Sequence, residues 1–454
     1  MKVPKSSIYT KKRCCAEVKF EEAGSQLTAF AGLIVFADLF HRLGFSSAVA
    51  GACPDTGGRH YTKAATFRWL VVHLLLGFSK LRDRDNYHTD PMVRRTLGME
   101  ALPSVPTATR VLREFTDEDI SRLGELASEM VTDRLREEKI ATVTLDFDGT
   151  TLSTCRHAEG SAVGFNKQKK GARSYYPLMC VVAQSAQVFD VLHRSGNVHD
   201  SNGAVDFVTS CVGRARERVP GSKVEARLDS AFFSDEMVTR LEELGVEYTI
   251  SVPFERFAEL KRHIEGRRFW WPGSKGASSF EKLWKPNSWE THRRFIYVRQ
   301  KVRLQRKGAL QLELFEPVEE GYDYKVVVTN KFGMRGNVVA FHEGRGSQEA
   351  TYAQLKTGCA MGYIPAKSWA ANKVYLMANV FAHNLSRELQ MEHGEPERGT
   401  LRKRPARWIF ESLETLRKKL VLRPGKLTRP KGALTLTVPK DPVLERYFET
   451  YKFA

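Results

Sequence analysis

The stretch that determines the fold reads Ile140-Ala-Thr-Val-Thr-Leu-Asp-Phe-Asp-Gly-Thr150. Its first residues are apolar or β-branched, a composition that favours a buried strand, and the glycine at position 149 predicts a turn directly after the strand. Asp146 and Asp148 share one face of this strand, because side chains two residues apart point to the same side. The stretch therefore predicts a strand that carries carboxylates to its end.

Alternating strands and helices follow this first strand. Further strands are predicted at residues 175–182, 188–192, 224–229 and 247–252, with helices at 203–218 and 234–244. An order of three strands, helix, strand, helix and strand is the layout of a ribonuclease-H-like domain. We therefore predict an α/β fold class, namely a ribonuclease-H-like mixed sheet with flanking helices.

The regions on either side of this core divide the chain into five predicted parts. Residues 1–138 show apolar residues at helical spacing and are predicted to form an N-terminal all-helical, DNA-binding region. The predicted α/β core is divided into residues 139–252 and 336–393 by a β-rich insertion at 253–335 that contains four tryptophans. Residues 394–454 form a basic C-terminal region, in which prolines interrupt a run of lysines and arginines.

The charge of the chain indicates its class of partner. Lysine and arginine number 71 against 53 aspartates and glutamates, a net charge of +18, which suits a polyanion such as nucleic acid. The seven cysteines are odd in number and scattered, which indicates reduced thiols. The N-terminus has no apolar core of a signal peptide, and the apolar run from Trp69 to Phe78 is too short to cross a bilayer. We expect a soluble, cytoplasmic protein with no membrane partner.

Two aspartates are predicted to meet at one edge of the sheet. Asp148 ends the first strand, and Asp229 ends the strand that begins at Val224. If the two strands are neighbours, their terminal carboxylates converge, and carboxylate oxygens are the ligands that Mg²⁺ prefers. The sequence therefore predicts a magnesium site here, with Asp146 as the alternative to Asp148.

A third acidic residue, Glu349, lies where a later helix is predicted to begin. Arg345 precedes it by four residues and Lys356 follows it by seven. These offsets place the three side chains on one helical face if the helix extends back to Arg345. Such a face presents a carboxylate between two cations that bind phosphate, although an exposed helix with an ordinary Arg–Glu pair has the same pattern.

These residues resemble the signature Tyr-x₂-Arg-x₃-Glu-x₆-Lys of bacterial insertion-sequence transposases that carry a DDE catalytic triad. Arg345, Glu349 and Lys356 match it at the right spacing, whereas His342 stands where tyrosine is usual. Ala231 also departs from the glycine that often follows the second aspartate. From about residue 27 to the late 380s the chain resembles the group 1 DDE transposase domain in these segments, in order: Leu145-Asp-Phe-Asp-Gly-Thr, Gly164-Phe-Asn-Lys-Gln-Lys-Lys-Gly, Tyr176-Pro-Leu, Arg194-Ser-Gly-Asn-Val-His, Arg227-Leu-Asp-Ser-Ala-Phe-Phe and Gln354-Leu-Lys-Thr-Gly.

The resemblance implies a DNA transposase that excises and integrates an insertion sequence at terminal inverted repeats by hydrolysis and strand transfer. Asp148, Asp229 and Glu349 would be its catalytic residues and would hold two Mg²⁺ ions, for which Mn²⁺ would substitute. The implied partners are double-stranded DNA and a second copy of the chain in a synaptic complex, within the bacterial nucleoid. The residues predicted to contact DNA are Arg345, Lys356, His342, Lys167, Lys169, Lys170 and Arg173.

The insertion has an implied role as well. In relatives an aromatic residue of this region stacks on a flipped base, and the candidates here are Trp270, Trp271, Trp284 and Trp289. For any single one of them, a place in the apolar core is the simpler expectation.

Two alternatives remain open on the sequence. The segment from Leu145 to Leu152 resembles the first motif of haloacid-dehalogenase-like phosphatases, in which one aspartate is the nucleophile and the next a general acid. That motif usually opens the chain, whereas here it follows a helical region. The second alternative is a non-catalytic DNA-binding protein descended from a transposase, and the intact acidic residues argue against it.

Overall fold

The computed structural model describes residues 26–448, apart from positions 56–57, 59, 155–156, 165, 167–168, 199–201, 274–275, 304–319 and 400. The strands are β1 (Leu27–Thr28), β2 (Thr142–Gly149), β3 (Leu152–Ser153), β4 (Ala162–Val163), β5 (Arg173–Tyr175), β6 (Leu178–Val182), β7 (Gln187–Leu192), β8 (Lys223–Leu228), β9 (Glu247–Ser251), β10 (Trp271–Pro272), β11 (Ala277–Trp284), β12 (Arg293–Arg303), β13 (Glu320–Thr329), β14 (Gly425–Thr428) and β15 (Thr435–Thr437). The helices are α1 (Leu33–Arg42), α2 (Phe45–Ala52), α3 (Lys63–Leu75), α4 (Pro91–Leu97), α5 (Val105–Arg113), α6 (Asp117–Glu137), α7 (Ala204–Arg218), α8 (Asp235–Glu243), α9 (Ala258–Glu265), α10 (Arg335–Glu343), α11 (Ser347–Gly358), α12 (Trp369–Glu392), α13 (Leu413–Leu416) and α14 (Pro442–Phe448).

A mixed sheet forms the centre of the molecule, as predicted. Within the described residues it has nine strands in the order β10-β11-β12-β13-β9-β8-β2-β6-β7. β2, β8 and β9 are parallel, while β6 pairs antiparallel with the other side of β2. Leu145 and Phe147 of β2 face an apolar cluster that includes residues of α7 and α8. The predicted ribonuclease-H-like α/β fold is confirmed.

The insertion continues this sheet. Its last strand, β13, pairs antiparallel with β9 and places Val328 opposite Ile250. β12, β11 and β10 then add one after another to β13, each antiparallel to the strand before it. The predicted insertion at 253–335 is therefore β-rich, as expected, and its strands extend the core sheet.

The N-terminal helices share an apolar core with helices from the far end of the chain. Phe381 of α12 packs against Phe45 and Phe67, with ring centroids 5.6 and 5.4 Å apart. β1 also pairs with β14 of the C-terminal region, where Leu27 lies opposite Lys426. The predicted boundary between residues 138 and 139 thus follows the end of α6, but the core extends across it.

An asparagine of α12 covers the edge strand β7. The side chain of Asn384 accepts a hydrogen bond from the Val188 amide at 2.8 Å and donates one to the Val188 carbonyl at 2.7 Å. A further strand would make the same two bonds. The Asn384 side chain therefore pairs backbone groups of β7 that would otherwise be open to another strand. Helix α12 is thereby held against the sheet.

Long apolar helices raise the question of membrane insertion. Among the described residues no single helix has both the length and the apolar composition to span a bilayer, and α1 with α2 meets that test only as a pair bent by 65°.

Arg417, which lies in the π-helical turn Arg417–Val421 after α13, bonds main-chain carbonyls of two other helices. Its guanidinium donates to Leu74 and Leu75 at the end of α3 at 3.1 and 2.8 Å, and to Gly358 at the end of α11 at 2.8 Å. Only 8% of the residue is exposed. The C-terminal region therefore joins the N-terminal helices to α11.

We expect Arg417→Met to lower the free energy of unfolding by about 3–5 kcal/mol, because three buried carbonyls lose their donor. Urea denaturation followed by circular dichroism measures this change. Arg429→Met is the control, because Arg429 is exposed in the same region. Equal stability of the two variants would show that Arg417 does not join these helices.

Candidate active site

Asp148 and Asp229 lie side by side at one edge of the sheet. β2 and β8 pair in parallel with Phe147 opposite Leu228, so the next residue of each strand is an aspartate at the carboxyl end. Asp148 is the next-to-last residue of β2, and Asp229 caps the 3-10 turn Ser230–Phe232 that follows β8. The predicted convergence of these two carboxylates is confirmed.

Backbone amides hold one oxygen of each carboxylate. Asp148 Oδ1 accepts a hydrogen bond from the Gly149 amide at 2.8 Å, and Asp229 Oδ1 accepts one from the Ser230 amide at 2.5 Å. Gly149 is required there, because a Cβ atom would lie 2.5 Å from the ring of Tyr176. The turn after β2 therefore orients Asp148 and needs glycine to do so.

Arg345 lies between the two aspartates. Its Nη1 atom is 2.9 Å from Asp148 Oδ2, and its Nη2 atom is 3.9 Å from Asp229 Oδ1. The residue belongs to the 3-10 helical turn Gly344–Gly346, which runs directly into α11 with helical backbone angles at Gly346. The helical course predicted between Arg345 and Glu349 is therefore present, as a 3-10 turn before α11, and it places Arg345 beside the two aspartates.

Burial raises the pKa of Asp148 to about 6, a shift that Arg345 opposes and the neighbouring charge of Asp229 reinforces. A carboxylate that is partly desolvated beside a like charge gains from a bound cation, because the cation offsets both effects. Asp148 and Asp229 together offer hard oxygen donors on one side of the sheet edge. Their chemistry therefore fits a divalent cation such as Mg²⁺.

Helix α11 packs on β2 through two polar residues one helical turn apart. Gln348 Nε2 donates to the Asp146 carbonyl at 3.1 Å, and the Tyr352 hydroxyl donates to the Asp148 carbonyl at 3.3 Å. Lys356, one further turn along, is half-buried. Burial lowers the pKa of Lys356, and the charge of Asp148 opposes this shift. The helix thus brings Lys356 into the electrostatic range of the aspartates.

Glu349 lies next to Gln348 in the first turn of α11, and its side chain is exposed. Among the described residues, no three His, Cys, Asp or Glu side chains are grouped closely enough to hold a metal ion. The structure therefore brings Asp148, Asp229 and Arg345 together, with Lys356 further along α11, and leaves Glu349 exposed in the first turn of that helix. Its place in the triad stays a prediction.

Asp146 has a different environment from Asp148. Arg227 of β8 binds it through two hydrogen bonds, with Nη2 2.7 Å from Oδ2, and the two side chains are 0% and 1% exposed. Asp146 is therefore closed to substrate and to metal. The phosphatase alternative is wrong for this structural reason, because it needs Asp146 as an accessible nucleophile.

His342 occupies a packing position. Its two ring nitrogens lie 2.9 and 2.8 Å from the hydroxyls of Thr249 and Ser251 on β9. Burial lowers the pKa of this imidazole to about 3, so the ring is neutral at physiological pH. Both nitrogens hold α10 on the sheet, and the contact of His342 with DNA stays a prediction.

The basic loop before β5 is only partly described. Lys167 lies outside the described residues, while Lys169 and Lys170 are exposed. The Arg173 side chain bonds Ser161 within the small sheet β3-β5-β4, with Nε 3.1 Å from the hydroxyl. Lys169 and Lys170 therefore stay predicted DNA contacts, and Arg173 has a structural partner.

Sequence reasoning missed two sets of residues that shape the site. In the motif around Asp229, Arg227 gives no local sign of its role, yet it is the partner of Asp146. Gln348 and Tyr352 flank Glu349 and fix α11 on β2. Both are polar, and they lie four residues apart on the helix predicted to contain Glu349, so they share one face of it. This spacing is the signal that identifies them.

The fold and the paired aspartates define a ribonuclease-H-like domain with a carboxylate site. The chain belongs to the family described as Transposase DDE domain group 1, whose model matches residues 11–451. It is therefore a DNA transposase by family, and members of this class use divalent metal ions. No curated protein matches the chain.

Solved transposase structures show weak similarity to this chain. The piggyBac transposase in a synaptic complex with hairpin DNA is 14% identical over 86% of this chain and 80% of that chain, with a TM-score of 0.43. The Mos1 transposase in a paired-end complex with the left transposon end is 12% identical over 43% and 60% of the two chains, with a TM-score of 0.17.

We expect Asp146→Ala to lower the free energy of unfolding by about 3–5 kcal/mol, because it leaves the buried charge of Arg227 without its partner. Asp148→Ala should change stability far less, because that side chain is 21% exposed. Thermal unfolding of the two variants beside the unmodified protein measures the difference. Similar loss in both variants would contradict the distinct roles of these aspartates.

Proposed function

We propose that this chain is a catalytically active transposase that cuts DNA at the ends of an insertion sequence and joins them to a target. The observation that supports this proposal is the pair of carboxylates, Asp148 and Asp229, at one sheet edge with Arg345 between them. Family membership supplies the substrate class. Excision and integration at terminal inverted repeats, in a homodimeric synaptic complex within the bacterial cytoplasm, belong to the same proposal.

The acidic residues would hold the metal ions. Asp148 and Asp229 would bind a first Mg²⁺ or Mn²⁺, and Glu349 would move in from its exposed position to complete a site for a second. Two such ions would activate the attacking hydroxyl and neutralise charge on the leaving oxygen. The protein supplies position and charge, because phosphoryl transfer asks little covalent chemistry of its side chains.

Basic side chains around this edge would hold the DNA strand. Arg345 offers a planar fork that matches the two oxygens of a phosphate, and Lys356 offers a point charge. Lys169 and Lys170 are exposed and would contact the backbone beside the cut. These contacts position the scissile phosphate and carry no sequence preference of their own.

Of the four tryptophans of the insertion, Trp271 is the one available to DNA. Trp270, Trp284 and Trp289 are buried, whereas Trp271 is 50% exposed on the edge strand β10. The guanidinium of Arg335 lies 5.4 Å from its ring centroid and supports the ring from one side. We assign the stacking of an unpaired base to this residue.

The test is cleavage of linear DNA that carries the ends flanking this gene, with purified full-length protein and Mg²⁺. We expect Asp148→Asn, Asp229→Asn and Glu349→Gln each to lower the rate by about 10³-fold, because each removes a charged ligand of the metal ions that would stabilise the transition state.

Glu343→Gln is the matched control, because Glu343 is an exposed acid at the end of α10 that pairs with Lys403. Its rate should equal that of the unmodified protein. A protein that binds the ends but never cuts them would support the non-catalytic alternative. Full activity of Glu349→Gln would remove this residue from the triad.

Trp271→Ala should lower cleavage by about tenfold or more, since stacking on a base contributes about 1–3 kcal/mol. Trp271→Phe should retain most of the rate because it keeps an aromatic face. The same DNA assay, with 2-aminopurine fluorescence at the terminal bases, measures both effects. An unchanged rate and fluorescence in Trp271→Ala would assign this ring to another role.

A further inference from the structure

Arg345 binds the oxygen of Asp148 that a cation would use. The Gly149 amide already occupies Oδ1 of this carboxylate, and Arg345 Nη1 occupies Oδ2 at 2.9 Å. The second nitrogen of the same guanidinium lies 3.9 Å from Asp229. One resident cation therefore balances both carboxylates from the side on which they converge.

A divalent cation and this guanidinium compete for the same place. Both need the free lone pairs of Asp148 Oδ2, and like charges a few ångströms apart repel each other even when water screens them. The side chains of Arg345 and Asp148 are each 21% exposed and that of Asp229 is 36% exposed, so the screening is partial. The guanidinium therefore disfavours binding of the ion for as long as it stays on Asp148.

The local structure leaves Arg345 free to do so. Gly344 is fixed, because a Cβ atom there would lie 1.9 Å from the Lys403 carbonyl and 2.2 Å from Arg227. Gly346, on the other side, has open space around it. Within the described residues, the ion pairs and hydrogen bonds of the Arg345 side chain are those with the two aspartates. The turn is therefore held at one end, and the Arg345 side chain is held by one hydrogen bond and one longer ion pair, both to the carboxylates that a metal ion would take.

We propose that Arg345 is an internal counter-ion that a divalent metal displaces from Asp148 and Asp229, and that the released guanidinium then binds a DNA phosphate. This inference rests on the proposed function. Metal and DNA then favour each other's binding, because the metal frees Arg345 for the phosphate and the phosphate draws Arg345 from the carboxylates. Thermodynamic linkage makes this effect reciprocal. The device keeps the metal site weak until DNA is present.

The test is Mn²⁺ binding to the full-length protein, measured by the electron paramagnetic resonance signal of free Mn²⁺. Arg345→Gln should bind Mn²⁺ about tenfold more tightly than the unmodified protein, because a repelling charge is gone. Arg345→Lys should stay close to the unmodified protein. Arg262→Gln, which removes an equal charge from the exposed face of α9, should change nothing.

A second measurement adds duplex DNA with the element ends. The DNA should tighten Mn²⁺ binding to the unmodified protein and should have little effect on Arg345→Gln, which has no guanidinium to transfer. Equal or weaker Mn²⁺ binding by folded Arg345→Gln would overturn the inference, and so would equal tightening by DNA in both proteins. If Arg345→Gln fails to fold, absence of tightening by DNA in the unmodified protein overturns it.

The variant Asp148→Asn separates this inference from the proposed function. It should abolish Mn²⁺ binding at this site, with or without DNA and with or without Arg345→Gln. If it does, and Arg345→Gln gains no affinity, the metal site stands and only the counter-ion role fails. If Asp148→Asn binds Mn²⁺ unchanged, Asp148 is not a metal ligand and both proposals fail.

Discussion

The buried ion pair between Asp146 and Arg227 is the interaction on which the site depends. It joins β2 to β8, and the same guanidinium donates to the carbonyls of Phe341 and Lys403 at 3.0 and 2.8 Å. One side chain therefore links two parallel strands, the end of α10 and the C-terminal region. Because the turn with Arg345 begins directly against this guanidinium, the position of the active-site arginine follows from that of the buried one.

A second buried acid, two residues before Arg227 on β8, joins further parts of the chain to the same strands. Glu225 accepts bonds from Thr144 of β2, Lys331 after β13 and Arg404 of the C-terminal region, at 2.8, 2.7 and 2.7 Å. An isolated buried carboxylate is costly, and three donors offset that cost. The insertion and the basic C-terminal region are thus built into the core, so part of the positive charge in the C-terminal region serves folding and is not available to DNA.

The sequence predicted what depends on local pattern and missed what depends on register. The strand ends at Asp148 and Asp229 follow from a mostly apolar run in the first case and from alternating apolar and charged residues in the second, and both are predicted correctly. The Asp146–Arg227 pair needs the relative register of two strands about eighty residues apart, which no local pattern contains. His342 shows the same limit. The transposase signature gives its spacing from Arg345, but it does not show that the imidazole packs against Thr249 and Ser251 of β9. The join of β13 to β9 likewise depends on pairing across the chain.

Asp146 and Asp148 show how environment divides two identical residues between structure and chemistry. They lie two positions apart on one face of one strand, and each pairs with an arginine. Arg227 is fully buried and bound by two further carbonyls, so its removal from Asp146 would leave several polar groups unpaired. Arg345 is partly exposed, and its contacts among the described residues are with Asp148 and Asp229, so under our proposal a competing cation would displace it at modest cost. Depth of burial, which the motif does not contain, therefore closes Asp146 and leaves Asp148 accessible at the sheet edge.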